Sequence, residues 1–170
     1  MDFLELAKKR YSVRHFTDEK LPEDVIGRIV EAGLVAPTAC NKQPQKIIVV
    51  NTDEGLTKLK KCSECHYNCK TAIIVCYDEK LCWQRSYDNK SSGDIDASIV
   101  TTHMMLQACE EGVGSTWVMY FIPDAIKAEF ELEKGVEPVA ILVLGYPDEE
   151  SKPSNQHIDK KRPEEIVIFK

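Results

Sequence analysis

Two short apolar runs constrain the fold of this 170-residue chain more than any other feature. They are TAIIVCY at residues 71–77 and PVAILVLG at residues 138–145. A membrane-spanning helix needs about 20 apolar residues, so neither run predicts a span and we expect no membrane association. Their length and branched side chains instead indicate buried strands. The sequence therefore predicts a core built on a sheet.

Periodic patterns predict the elements around these two strands. Helices are expected at 2–9, 21–33, 53–62, 96–111 and 123–130, and further strands at 46–50 and 112–121. Asp2 and Asp96 are the expected N-caps of the first and central helices, and Gly33 the expected end of the second. EIVIF, at residues 165–169, could form an edge strand. Helices alternating with about four strands indicate an α/β or α+β class. No linker or repeat divides the chain, so we expect one domain over residues 1–170.

Composition narrows the classes of function. The formal net charge is −6, whereas a nucleic-acid-binding face is broadly basic, so no nucleic-acid partner is expected. The N-terminus MDFLELAKKR lacks the apolar core of a signal peptide, which favours a cytoplasmic protein. The seven cysteines are then expected to be reduced thiols.

The cysteine-rich stretch CSECHYNC, residues 62–69, is the first candidate site. Cys62, Cys65 and Cys69, with His66, could ligate zinc or an iron–sulfur cluster. The same spacing of i, i+3 and i+7 also places the thiols on one helical stripe, where cysteine packs as a small apolar residue. No second CxxC pair follows, so packing is favoured. A redox pair of Cys62 and Cys65 stays an alternative.

The second candidate is a basic cluster near the N-terminus. Arg10, Ser12 and Arg14 alternate, so in an extended segment their side chains point the same way. Two guanidinium groups and a hydroxyl would suit a phosphate. A second basic patch lies at residues 160–162, and if the tail folds back both patches could bind one phosphate group. The alternative is plain surface charge, which is also our interpretation of Lys8 at a helix end.

Five segments, in this order, resemble the nitroreductase family of flavin-dependent oxidoreductases over nearly the whole length. They are RYSVRHF (10–16), APTACNKQP (36–44), DIDASIVTTHMMLQACEEGVGSTWV (94–118), LVLGYP (142–147) and KKRP (160–163). One departure is QPQK at residues 43–46, where many relatives have Pro-Trp after the glutamine. An aromatic residue near the site is lost there, which affects the expected substrate preference.

The resemblance implies an α+β fold with a central mixed β-sheet flanked by helices, in an intertwined homodimer with two FMN sites at its interface. It implies an enzyme that takes hydride from NADH or NADPH and reduces a nitroaromatic, quinone or flavin-like acceptor by a ping-pong route. The flavin would carry the chemistry, so no catalytic side chain is expected. An FMN-binding protein without turnover is the alternative. The apolar run Met104, Met105 and Leu106 independently favours a dimer, because it makes the central helix apolar on more than one side.

The resemblance also assigns the residues that would bind FMN. Those for the phosphate are Arg10, Ser12, Lys160 and Arg162, and Arg14 would reach the ribityl chain or the O2 edge of the ring. Those lining the ring from the other subunit are Pro37, Thr38 and Asn41. Those running beside the ring are Trp117, Val118, Met119 and Tyr120, with backbone amides near the last two approaching N5.

Overall fold

A computed structural model describes residues 2–170 as a four-stranded sheet with helices on both faces. The helices are α1 (Phe3–Lys9), α2 (Glu23–Leu34), α3 (Asp53–Cys62), α4 (Gly93–Glu110), α5 (Pro123–Glu129) and α6 (Asn155–Ile158). The strands are β1 (Gln45–Val50), β2 (Thr71–Asp78), β3 (Gly114–Val118) and β4 (Val136–Gly145). The sheet order is β1-β2-β4-β3. None of the described helices is both long and apolar enough to span a membrane.

The two apolar runs form the central strands, as predicted. In β2, Ile73 and Val75 pack into the core shared with α2 and α4, whereas Ile74 packs into the core shared with α3 and α5. Successive strand residues point to opposite faces, so a continuous apolar run can serve both layers of helices. This is why the two central strands show no alternation of apolar and polar residues.

The packing of α2 on α4 corrects the expected role of Gly33. The helix continues to Leu34, and Gly33 lies buried inside it. A Cβ atom there would lie 2.8 Å from Cγ of Met104 and 3.3 Å from Cγ1 of Val100. Gly33 therefore permits close approach of the two helices, and does not end α2.

The start of α4 corrects the expected role of Asp96. The helix begins at Gly93, so Asp96 lies within its first turn and is buried. Its carboxylate accepts hydrogen bonds from Ser92 Oγ at 2.7 Å and from the backbone N of Ala39 at 2.9 Å. A carboxylate here also lies at the positive end of the helix dipole. Asp96 thus ties the loop before β1 to α4.

The α+β class is confirmed, with two differences in the strands. All neighbouring strands of the sheet are antiparallel, and the parallel component within residues 2–170 is an isolated bridge between Ser12 and Ser115. The predicted strand at EIVIF is wrong. Residues Pro163–Glu165 form a 3-10 turn, and the residues after it are exposed, with Phe169 at 94%. A strand needs a neighbouring edge to pair with, and this segment pairs with none among residues 2–170.

Candidate functional site

The segment after α1 is fixed along the edge strand β3. The backbone N of Val13 donates to Ser115 O at 3.0 Å, and Thr116 Oγ1 donates to Val13 O. A Cβ atom on Gly114 would lie 2.8 Å from Val13 Cγ2, so glycine is needed for this approach. Val13 is buried, which turns the side chains on either side of it away from the core.

A cavity of about 160 Å³ lies between this segment and the C-terminal tail. Its lining residues are Arg10, Tyr11, Ser12, Arg14, Ser154, Gln156, His157 and Lys160. Three cations and no carboxylate line it, and the ion pairs found within residues 2–170 involve none of these three cations. The cavity therefore suits a small anion with several oxygen acceptors.

The tail is held against the N-terminal segment by side chains that sequence reasoning missed. Ser151 Oγ donates to His15 O at 2.6 Å, and the Tyr11 hydroxyl donates to Ser151 O at 3.4 Å. Nε2 of His157 lies 3.0 Å from Lys8 O, to which it can only donate. The His157 bond docks the short helix α6 on α1, and the two bonds of Ser151 hold the chain before α6. A four-residue helix carries no periodic signal, so only its preceding Ser154, a typical N-cap residue type, hinted at it.

The structure brings together four of the residues assigned to the phosphate and ribityl end of FMN and leaves one apart. Arg10, Ser12, Arg14 and Lys160 share the cavity. Arg162 lies outside it, with Nε donating to Glu165 Oε1 at 2.9 Å. The shared cavity shows that the tail folds back, which is the condition for both basic patches to bind one phosphate group.

The loop at residues 36–44 is ordered by bonds to its own backbone. Thr38 Oγ1 accepts from Gln43 N at 3.0 Å, and Thr38 O accepts from Asn41 N at 3.0 Å. Cys40, Asn41 and Gln43 have φ of 51°, 52° and 48°, a left-handed conformation that only asparagine among these three types commonly adopts. Such strain concentrates at functional sites. Pro37, Thr38 and Asn41 do not line the cavity.

The segment after β3 projects from the sheet edge. Val118 is buried, whereas Met119 and Tyr120 are 74% and 72% exposed. The indole Nε1 of Trp117 is buried and has no hydrogen-bond partner within residues 2–170. A buried donor without a partner is uncommon in a finished structure. It therefore marks a place where a ligand or a second chain can supply an acceptor.

The cysteine stretch folds as a packed connection and not as one helical stripe. Helix α3 ends at Cys62, and Tyr67 and Asn68 have left-handed backbone with φ of 48° and 51°, so the predicted single stripe is wrong. Cys62 and Cys69 are nevertheless buried. The thiol of Cys62 donates to Lys58 O at 3.3 Å, and burial raises the pKa of Cys69 to about 11.

The ring of His66, which was expected beside these cysteines, bonds to the backbone of its own turn. Nδ1 of His66 accepts from the backbone N of Asn68 at 2.9 Å. Burial, and then the charge of Lys60, lowers the pKa of His66 and so favours the neutral ring. Within the described residues, a metal-compatible convergence of side chains occurs on the surface and includes no cysteine: His15, Asp148 and Glu150.

The comparisons with known proteins agree with one another. The family model of the nitroreductase family matches residues 7–68 and 67–146. A solved nitroreductase family protein of Clostridium difficile 630 is 43% identical, with a TM-score of 0.94 over 99% of this chain and 98% of that one. This likeness confirms the predicted nitroreductase-like fold.

Two further relatives carry more specific names. The FMN-dependent nitroreductase of C. difficile R20291 is 26% identical, with a TM-score of 0.80 over 98% of each chain. An NADH dehydrogenase of Thermus thermophilus is 26% identical over 188 residues, covering 92% of each chain. This chain is therefore similar over almost its full length to proteins named for flavin and nicotinamide chemistry.

Proposed function

Since the chain belongs to the nitroreductase family, we propose that it is an FMN-dependent oxidoreductase that takes electrons from NADH or NADPH and reduces a small acceptor. The cavity between the N-terminal segment and the tail is the observation that carries this proposal. Arg10, Arg14 and Lys160 line it together with Ser12. These donors fit the phosphate of FMN, because charged donors make the strongest hydrogen bonds to phosphate oxygens.

The remaining residues fit the neutral part of FMN. A flavin ring requires apolar walls and a few polar groups, and the segment after β3 offers the exposed Met119 and Tyr120 beside the unpaired indole N–H of Trp117. When bound, FMN supplies the chemistry, accepting a hydride, which carries two electrons and one proton, from the nicotinamide and passing two electrons to the acceptor. Arg14, which lines the neighbouring cavity, adds a positive charge that favours an anionic ligand beside it.

We further propose a homodimer in which Pro37, Thr38 and Asn41 reach the FMN site of the other subunit. Three features of the chain support this. The strained loop that holds these residues does not line the cavity of its own chain. A shallow groove of about 430 Å³ on α4 exposes Ile95 beside the half-buried Ile99. The apolar tail at 166–169 is exposed, from 49% at Val167 to 94% at Phe169, and an exposed apolar patch marks an interface.

The acceptor is proposed as a nitroaromatic, a quinone or a free flavin, with donor and acceptor using one site in turn. A ping-pong route of this kind needs only one open face of the cofactor site. The loss of the aromatic at QPQK, residues 43–46, leaves more room at the loop proposed to line the ring. No side chain is assigned a proton-transfer role.

One purification tests the proposal. The protein should bind about one FMN per chain, identified by mass spectrometry after heat release, and the loaded form should be a dimer by light scattering. It should oxidise NADH or NADPH when a quinone or nitroaromatic is present. Zinc or iron in place of FMN, or no flavin after reconstitution, would contradict the proposal. FMN binding without any NAD(P)H oxidation would favour a carrier or sensor.

A further inference from the structure

The connection after α3 contains a buried hydroxyl that no proposed step has used. Ser63 caps the end of α3, with its backbone N donating to Leu59 O at 3.2 Å, and it is 7% exposed. Its Oγ donates to Tyr120 O at 2.6 Å and accepts from Cys65 N at 3.0 Å. One hydroxyl thus joins the cysteine stretch to the segment after β3.

Neighbouring backbone bonds complete this link. Ile122 N donates to Cys62 O at 2.9 Å, and Phe121 N donates to Met119 O at 3.1 Å. The carbonyl groups of Met119 and Tyr120 are therefore both occupied by the protein itself. Because a peptide unit is planar, bonds at the carbonyl of Tyr120 and the amide of Phe121 fix the orientation of the whole peptide between them.

The amides just upstream are left available. Among residues 2–170, no backbone hydrogen bond outside the helices and strands uses the amide of Met119 or of Tyr120. The two side chains are exposed, so solvent or a ligand can reach this stretch. A donor that a fold leaves unpaired in a fixed orientation is suited to a ligand acceptor, since its geometry needs no reorganisation on binding.

We propose that Ser63 is a positioning residue for the flavin ring. By holding the carbonyl of Tyr120, it fixes residues 119–121 so that the amides of Met119 and Tyr120 can donate to the ring. This inference rests on the proposed function and extends it to a residue that does not touch the cofactor. Without the hydroxyl, Tyr120 O and Cys65 N lose their shared partner, and only the bond from Phe121 N to Met119 O still orients the peptide after Tyr120.

The test compares Ser63→Ala with a matched control, Thr101→Val. Thr101 is also fully buried and its hydroxyl donates to Ala97 O at 2.7 Å within α4, so this change removes a buried hydroxyl elsewhere. Hydrogen–deuterium exchange on the FMN-free protein measures the amides of Phe121 and Ile122, which are the hydrogen-bonded amides of this stretch. We expect exchange there to rise about tenfold or more in Ser63→Ala, and to stay at the wild-type rate in Thr101→Val.

Binding provides the second readout. In Ser63→Ala, the dissociation constants of riboflavin and FMN should both rise, by about three- to tenfold, because the lost positioning concerns the ring. Ser63→Thr keeps the hydroxyl and should restore both constants. If the alanine variant does not fold, Ser63→Cys, with a weaker donor, should change both readouts in the same direction.

Three outcomes would overturn the role of Ser63. They are wild-type exchange at Phe121 and Ile122 in Ser63→Ala, an equal rise in Thr101→Val, or unchanged riboflavin binding in Ser63→Ala. A wild-type protein that binds neither flavin would instead overturn the proposed function, and the role of Ser63 with it. The two failures are therefore distinguished by the wild-type titration.

Discussion

The segments RYSVR (10–14) and CSECHYNC (62–69) are both candidate sites in the sequence, although packing is favoured for the second, and the fold uses them in opposite ways. The first keeps Arg10 and Arg14 free of ion pairs at the wall of an open cavity. The second buries Cys62 and Cys69 and uses its one buried hydroxyl to hold another segment. Reactive residue types therefore indicate a site only when the fold leaves their polar groups unpaired and within reach of solvent.

Backbone conformation accounts for the difference. RYSVR is extended and has Val13 buried against β3, so Ser12 and Arg14 on either side of it turn to the other side together. CSECHYNC passes from the end of α3 through two left-handed residues into β2, which distributes its thiols between separate contacts. Side chains converge on one site when the backbone keeps one regular conformation, and CSECHYNC does not keep one.

The largest expected effect concerns the thiol of Cys69. Burial raises its pKa to about 11, against about 8.5 for a free cysteine. The thiolate is the reactive form, so at pH 7.5 the native protein should alkylate at Cys69 at least about a hundredfold more slowly than the unfolded protein. Mass spectrometry of iodoacetamide-treated protein, with and without guanidinium, measures the two rates.

The raised pKa of Cys69 also determines how its alkylation rate changes with pH. Because the folded pKa lies above the unfolded value, the native rate should keep rising as the pH approaches 11, after the unfolded rate has levelled off. Rapid labelling of native Cys69 at pH 7.5, or protection by added zinc, would show that the stretch is an accessible site and remove the contrast with RYSVR.

The next effect separates Arg10 from Lys8. A hydrogen bond to a charged group is worth roughly 1.5–3 kcal/mol, so Arg10→Ala should weaken FMN binding about ten- to a hundredfold. The side chain of Lys8 does not line the cavity, and Lys8→Ala should cost no more than about 0.5 kcal/mol. Fluorescence titration of the FMN-free protein gives both constants.

Riboflavin, which lacks the phosphate, is the control for this pair. It should bind wild type and Arg10→Ala about equally, whereas Ser63→Ala is expected to weaken riboflavin and FMN binding together. The phosphate assignment is falsified if Arg10→Ala and Lys8→Ala weaken FMN alike, or if riboflavin loses as much affinity as FMN in Arg10→Ala.

The smallest effect is expected at Arg162. Its guanidinium pairs with Glu165 outside the cavity, and exposed ion pairs contribute little. Arg162→Ala should therefore change the FMN dissociation constant by no more than about twofold in the same titration. A loss as large as that of Arg10→Ala would mean that the tail rearranges to bring Arg162 to the phosphate when FMN binds.

The fold was predictable where local pattern and tertiary packing agree. The expected helix at 53–62 is α3, and both apolar runs are central strands. The roles expected for Gly33 and Asp96 were wrong because both depend on distant contacts. Gly33 packs against the side chain of Met104, and Asp96 accepts a hydrogen bond from Ala39 N. Helix ends were therefore less predictable than helix interiors.

The candidate site was predictable at the residues that a regular segment presents. Alternation alone placed Arg10, Ser12 and Arg14 on one side, and the cavity brings them together. His157 and Ser63 could not be identified in this way, because each acts by bonding to a carbonyl group distant in the sequence. Every residue has a backbone carbonyl, so no sequence motif identifies such a contact.

Strand β3 connects the two ends of the proposed site. Ser115 receives the N-terminal segment, and Met119 follows the last residue of the strand. Four residues of extended chain span about 13 Å at about 3.3 Å per residue, and a hydrogen-bonded strand can neither stretch nor shorten appreciably. Strand β3 therefore sets a fixed distance between the two ends. Under the proposed function, a cofactor that engages both ends must match this span in length as well as carry a matching charge.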